Sequence, residues 1–272
     1  MVKVHIITQN EPFFIPKMIK YILENQKDYK VISYTLLSPK RKNKSIVHWF
    51  KERARIYSSF ELVLVGFLYA YTKLINLIRN NSPYSTTNQF NKGKVPHLHS
   101  QDINSFDYIK NLEKSKPNVI LSISCPQIFK EKLLSTPTLY SINAHSSLLP
   151  RHRGVFATFW TLYLKDKVAG STLHTMELKL DSGINLWQEE FKVKPSDTQY
   201  SLAYKTKKQM AKGIVELFSS INEGRESAIV PKHEATYHRA PSKEQGKILH
   251  ENGKNIIKVR DIKNILVHNF DL

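Results

Sequence analysis

Apolar positions in this chain group into short continuous runs separated by amphipathic stretches, the pattern of strands alternating with helices. Val2 to Thr8 predicts a buried strand. Ile15 to Asn25 predicts a helix with Ile15, Met18, Ile19, Ile22 and Leu23 on one face. Val31 to Leu37 predicts a second strand, followed by a basic loop from Ser38 to Lys44. Residues 46–79 read as one or two helices, and residues 80–93, rich in Asn, Ser and Thr, as a surface loop. A short strand is expected at Val95 to Leu98, a helix at Ile103 to Leu112 and a buried strand at Asn118 to Ser124. Leu139 to Ile142 leads into Asn143 as the next strand, and Val155 to Leu164 predicts a helix. Val168 to Met176 and Ile184 to Val193 alternate as strands. Asp197 or Thr198 can cap a long helix to about Ile221, with Met210, Ile214, Leu217, Phe218 and Ile221 on one face.

This order implies an α/β fold: a mainly parallel, Rossmann-like sheet with helices on both faces. Ligands in such sheets bind beyond the carboxyl ends of the strands. The ends available are Thr8-Gln9-Asn10, Ser124-Cys125-Pro126 and Asn143-Ala144-His145, which are expected to border one crevice.

The run Phe60 to Tyr71 is broken by Glu61 and followed by Lys73, and is read as shorter than the ~20 apolar residues of a membrane span. A core or interface helix is the expectation, with peripheral contact to a membrane as the sharper alternative. The chain of 272 residues holds one large domain, or one large domain and a short tail. Cys125 is its only cysteine, so no intrachain disulfide can form. The N-terminal strand lacks the apolar core of a signal peptide, and the expected location is cytoplasmic. The formal net charge of +18 invites an RNA or anionic-membrane reading. Most of that excess lies outside residues 118–190, where acids and bases nearly balance.

Within that balanced stretch come Asn143-Ala144-His145, then Ser147-Leu148-Leu149-Pro150, then Leu180-Asp181-Ser182-Gly183. Asn143 and His145, two apart on a strand, share a face. A carboxamide, an imidazole and a carboxylate suffice to move an acyl carbon onto an amine. The amide N–H stabilises the oxyanion, the imidazole carries the proton, and the acid orients the ring. Taken singly, Asn143 is as easily a cap and Asp181 a turn residue. His97 and His99 have no third ligand at metal spacing, so no metal site is expected, and His152 and His174 read as structural or surface histidines.

From Asn143 through Pro150 to Arg151-His152-Arg153-Gly154, with Leu180-Asp181-Ser182-Gly183 further on, the chain resembles the folate-dependent formyltransferases. The resemblance covers residues 1 to about 222 and is strongest from Val119 to Gln188. It implies Asn143, His145 and Asp181 as the catalytic trio and 10-formyltetrahydrofolate as the formyl donor. It further implies Cys125, Pro126, Gln127, Ile128 and Phe129, with Leu178, Lys179 and Leu180, as cofactor-binding residues. Asn10, Arg151, Arg153 and Gly154 are the expected substrate contacts. The expected organisation is a catalytic domain over residues 1–222 and a C-terminal extension over 223–272 packed on it.

The turn after the first strand narrows the acceptor. Enzymes acting on glycinamide ribonucleotide cradle a phosphate in a Gly- and Ser-rich turn there. This chain reads Thr8-Gln9-Asn10-Glu11-Pro12, where Glu11 adds charge and Pro12 lacks an N–H. Methionyl-tRNA formyltransferases share that lack of glycine and would suit the basic charge, but usually continue into a tRNA-binding barrel. The residues after 222 read as too few for one. The resemblance is greatest to the branch that formylates amino sugars in surface-polysaccharide pathways. That branch shows an apolar insertion like residues 60–78, a Ser-x-Ser-x-Pro-Gln-Ile-Phe run like Ser122 to Phe129, and a tail like Tyr237 to Ser242. It implies an amino sugar on a nucleotide or lipid carrier as substrate, with tRNA as the alternative and a homodimer as an allowed assembly. A non-catalytic folate-free binding module is the third class.

Overall fold

The computed structural model describes residues 1–38, 54–267 and 269–270. The expected basic loop at Ser38 to Lys44 and the beginning of the 46–79 stretch lie outside these, Ser38 excepted.

Six strands form one sheet: β1 Val2–Gln9, β2 Tyr29–Leu37, β3 Val119–Ile123, β4 Tyr140–His145, β6 Val168–Thr175 and β7 Asn185–Lys192. Their spatial order is β2-β1-β3-β4-β6-β7. The first four run parallel, β6 runs antiparallel to β4, and β7, antiparallel to β6, regains the common direction, so the mainly parallel expectation is met. The chain leaves β1 toward β2 through helix α1, Ile15–Glu24, and later returns to β1's other side as β3. That reversal opens a crevice at the carboxyl ends, the switch point of such sheets.

Alternation along the strands divides the core between two faces. Val4 and Ile6 pack with Met18, Ile19 and Ile22 of α1 and with Met210, Ile214 and Phe218 of a long helix at Gln199–Asn222. Ile7 and Ile120 face the other way, against Ile109 and Leu112 of the helix Phe106–Lys114 and against Phe129. The long helix begins at the cap expected from its sequence: Thr198 and Ser201 exchange side-chain and backbone hydrogen bonds in a capping box.

Three elements differ from expectation. Residues 80–93 contain a helix, Thr86–Lys92, capped by the Ser85 hydroxyl. Its Phe90 is fully buried and stacks on Tyr34 with ring centroids 3.8 Å apart, an anchor hidden within a polar composition. The strand expected at Val95 to Leu98 is reduced to one parallel bridge between Tyr34 and His97, because Pro96 supplies no ladder donor. The helix expected from Ile103 begins at Phe106, after a turn in which the Asp102 carboxylate accepts from Asn104 N–H.

After residue 222 the chain adds a strand at Tyr237–His238 (β8), parallel to Arg153–Gly154 (β5), and helices Lys243–Glu251 and Asp261–Leu266. Buried Glu61 ties this segment down, accepting from Ile256 N–H at 2.8 Å and standing 2.8 Å from His250 Nε2. Lys17 Nζ donates to the carbonyls of Asn264 and Ile265.

His5 is fully buried in β1, with Nδ1 2.7 Å from Ser33 Oγ and Nε2 3.0 Å from Tyr108 Oη. Burial, aided by His97, pushes its imidazole from 6.5 down to about 3. Between those values the unfolded chain binds a proton that the folded chain does not. This contribution to stability is therefore complete above pH 6.5 and declines as pH falls toward 3. Urea unfolding at pH 7.5 and pH 5 is expected to show a loss approaching ~1.4 kcal/mol per pH unit from this group. His5→Asn should flatten the slope by that amount.

Candidate functional site

A cleft of about 820 Å³ opens over the ends of β1, β3 and β4. Gln9, Ser124 and Asn143 all line it, so the three strand ends meet at one crevice. His145, Asp181, Gly154, Leu178, Leu180 and all five residues of Cys125–Phe129 line it as well. Four expected site residues are absent from the lining. Asn10 is exposed and its N–H bonds the Leu37 carbonyl. Lys179 is exposed beside the cleft wall. The guanidinium of Arg151 is engaged by buried Asp166, which also lies 2.6 Å from His152 Nε2. Arg153 stays close enough for its charge to disfavour protonation of His174.

The centre is built from four side chains. Asn143 and His145 leave the end of β4 toward the cleft. Asp181 arrives from the loop between β6 and β7 in a left-handed backbone conformation, φ 50°, which an Asp tolerates better than most residues. Its Oδ2 accepts from Gly154 N–H at 2.7 Å. Gly183 follows so closely beneath Thr175 that a Cβ would overlap the Thr175 carbonyl. The fourth member is His174, a correction to its reading as a structural or surface histidine. It stands opposite Asn143 in the antiparallel β4–β6 register. No motif marks it; the signal is the register itself, and that requires the strand order.

Hydrogen bonding fixes both imidazole tautomers. His145 Nε2 lies 2.9 Å from the His152 carbonyl, which can only accept, so the neutral ring carries its proton on Nε2. Its Nδ1 lone pair is left 3.8 Å from Asp181 Oδ2, too long for a hydrogen bond. His174 is the reverse. Its Nδ1–H donates to the Thr175 carbonyl at 2.8 Å, leaving the Nε2 lone pair to accept from the Asn143 amide at 3.2 Å. Burial, and then the neighbouring His145, push the His174 imidazole well below its ordinary value, so it stays neutral and an acceptor. The Asn143 carboxamide is thereby turned with one N–H on His174, and no other described residue accepts from it.

The walls differ in chemistry. Ile128, Leu178 and Leu180 are exposed apolar side chains on one side, matched to a flat aromatic ligand such as a pteridine with its aryl tail. On the other side lie Gln9, Gln199 and Lys207. The Lys207 ammonium donates to Ser124 Oγ at 2.8 Å, and burial lowers it to about 8. Lys207 is absent from the expected site residues, although its spacing with Met210 and Ile214 places a cation in the buried stripe of its helix. Cys125 also lines the cleft, but burial raises its thiol to about 12 and removes it as a nucleophile. Tyr237 and Arg239 of the C-terminal segment close the rim.

The pattern of the family described as Formyl transferase matches residues 72–218. Among curated relatives, the Bifunctional polymyxin resistance protein ArnA of Wigglesworthia glossinidia brevipalpis is 40% identical over 111 residues, covering 41% of this chain and 17% of that protein. A Methionyl-tRNA formyltransferase of Koribacter versatilis is 31% identical over 157 residues, covering 57% of this chain and 50% of that enzyme. The chain thus spans half or less of the length of these relatives. Solved structures of similar fold include sugar N-formyltransferases and glycinamide ribonucleotide transformylases. One is the N-formyltransferase of Helicobacter canadensis in complex with folinic acid and dTDP-3-aminofucose, with TM-score 0.55 and 16% identity over 88% of this chain and 71% of that one. At such identity the likeness is one of fold.

Gly154 has φ 99°, and a Cβ there would overlap the His238 carbonyl. Gly154→Ala is expected to cost about 2 kcal/mol in urea unfolding and to loosen the rim strand. Faster amide exchange at residues 236–239 would report that loosening.

Proposed function

Since this chain belongs to the formyl transferase family, we propose that it moves a formyl group from 10-formyltetrahydrofolate to the primary amine of an amino sugar borne on a nucleotide or lipid carrier. The observation that carries the reading is the convergence of Asn143, His145 and Asp181 at the floor of one cleft, with each imidazole's tautomer fixed by a backbone carbonyl.

The donor supplies a formyl carbon open to attack by a neutral amine. Residues 125–129 together with Leu178 and Leu180 would hold its rings against the apolar wall. The second N–H of Asn143 is oriented to donate to the formyl oxygen as negative charge grows there. His145 Nδ1 accepts the proton shed by the amine, and the resulting imidazolium is stabilised by Asp181 across 3.8 Å. The same ring then returns the proton to the departing nitrogen. His174 acts through Asn143 as a positioning residue.

For the acceptor, the N-terminus of α1 is informative. Glu11 folds back so that its carboxylate accepts from Phe13, Phe14 and Ile15 N–H at 2.7, 2.9 and 3.1 Å. Those are the groups that would cradle a phosphate in the glycinamide ribonucleotide branch, and they are already satisfied. An anionic carrier has other partners in Lys207 and Arg239 on the cleft lining. The 31% identity to a methionyl-tRNA formyltransferase and the charge of +18 favour a tRNA acceptor as the second reading.

Amino sugars on nucleotide carriers, offered with 10-formyltetrahydrofolate, are expected to release deformylated cofactor without RNA present. Formylation confined to charged initiator tRNA, with steep salt dependence, would overturn the sugar reading. His145→Ala and Asp181→Asn should each lower turnover by about 100-fold or more while the circular dichroism spectrum persists. Near-normal rates in both would refute the assignment. Asn143→Ala should reduce kcat more than donor affinity. His174→Ala should do the same by roughly tenfold or more, through loss of amide orientation.

A further inference from the structure

The helix Ser59–Ile78 (here α2) reverses the polarity expected of a helix lying on a globular core. Its buried positions are Glu61, Val65, Leu68 and Thr72, so half of the inward face is polar. The outward stripe carries Phe60, Val63, Phe67, Leu74, Leu77 and Ile78, each between 55% and 82% exposed. Water-facing helix surfaces present charged and polar residues, and a contiguous apolar stripe marks an interaction surface. At 1.5 Å per residue this one runs about 30 Å.

By length and composition α2 is the one helix among the described residues able to cross a membrane, contrary to the reading that its apolar run is too short. Its inner face is nevertheless committed to the protein. Glu61 Oε1 accepts from Ile256 N–H, while Oε2 accepts from Ser58 N–H and lies 2.8 Å from His250 Nε2. A helix so anchored can lie on a surface without spanning a bilayer. With Glu61 buried, the exposed charges of residues 59–79 are the cations Lys73 and Arg79.

We infer that this stripe is a peripheral membrane-binding face, lying in the headgroup plane of an anionic lipid surface. The alternative occupant, a second copy of the chain, is disfavoured by charge: it would bring another +18 to a contact already bordered by cations. An anionic bilayer supplies the complementary sign. Lys73, within the stripe, can extend its ammonium to the headgroups while its stem stays among the apolar side chains. The inference stands on α2 alone and is independent of which acceptor the cleft takes.

Flotation of the full chain with vesicles of phosphatidylcholine, with and without about one-third phosphatidylglycerol, tests it. Binding to the anionic vesicles is expected to exceed that to neutral ones by about tenfold and to weaken in high salt. Phe67→Glu and Leu77→Glu should each abolish most of it. Phe67→Ser with Leu77→Ser should weaken binding at unchanged charge, separating apolar insertion from simple ion attraction. Circular dichroism melting checks that each variant folds. Wild type that fails to float, or variants that float equally well, would overturn the inference. So would sedimentation velocity showing a wild-type dimer made monomeric by the same substitutions, with no vesicle binding.

Discussion

One buried carboxylate holds the site together. Asp181 accepts from the Gly154 backbone at 2.7 Å and stands between two imidazoles, 3.8 Å from His145 and 3.7 Å from His174. A carboxylate in such surroundings needs donors, and among the described residues the Gly154 N–H is the one at full hydrogen-bond distance. That bond draws together the loop after β4, the loop before β7 and, through the ladder of Gly154 with His238, the C-terminal segment. The two rings beside it are held in opposite tautomers by different carbonyls. One therefore offers its lone pair toward the carboxylate and the other toward an amide. With its proton on Nε2 instead, His174 would pair with the Asn143 carbonyl oxygen and turn the amide over.

The parts of this arrangement legible in sequence are those set by short-range geometry. Asn143 and His145 share a strand face because they are two apart, and Asp181 precedes a Ser-Gly turn. The long helix is readable from its cap at Thr198 and its buried stripe. The residues that escape sequence reasoning depend on which strands become neighbours. His174 enters through the antiparallel pairing of β4 with β6, and Tyr237 through a two-residue parallel ladder with Arg153–Gly154. Neither pairing leaves a trace in local composition. Arg151 is absent from the cleft lining for a related reason: its partner Asp166 is fifteen residues away and unmarked.

Glu11 illustrates how one inference from sequence can have a deeper cause in the fold. Its charge and the adjacent Pro12 argue against phosphate cradling by simple repulsion and a missing donor. In the fold the carboxylate occupies the N-terminus of α1, taking three backbone N–H groups for itself. The same donors that would bind an external anion instead bind an internal one, and the favourable helix field is spent on it. On the proposed function, recognition of an anionic carrier would then fall to side chains of the cleft such as Lys207.

The position of the centre follows from the two faces of the sheet. Phe129, beside the apolar wall, belongs to the core on one face, and Lys207 rides on the helix that covers the other. Ligands resting on these two walls are separated by the thickness of the sheet except where the strands end. Residues within β3 or β4 are shut off from both by the covering helices, as the full burial of Ile120, Leu121 and Ile142 attests. Groups that must reach a donor on one wall and an acceptor on the other can therefore stand only at the strand tips. Asn143 and His145 end β4 there, and Ser124, just past the end of β3, takes a left-handed φ of 53° that turns the chain aside toward the apolar wall. On the proposed reaction, the reacting atoms meet over the sheet edge because no other place in this architecture is open to both sides.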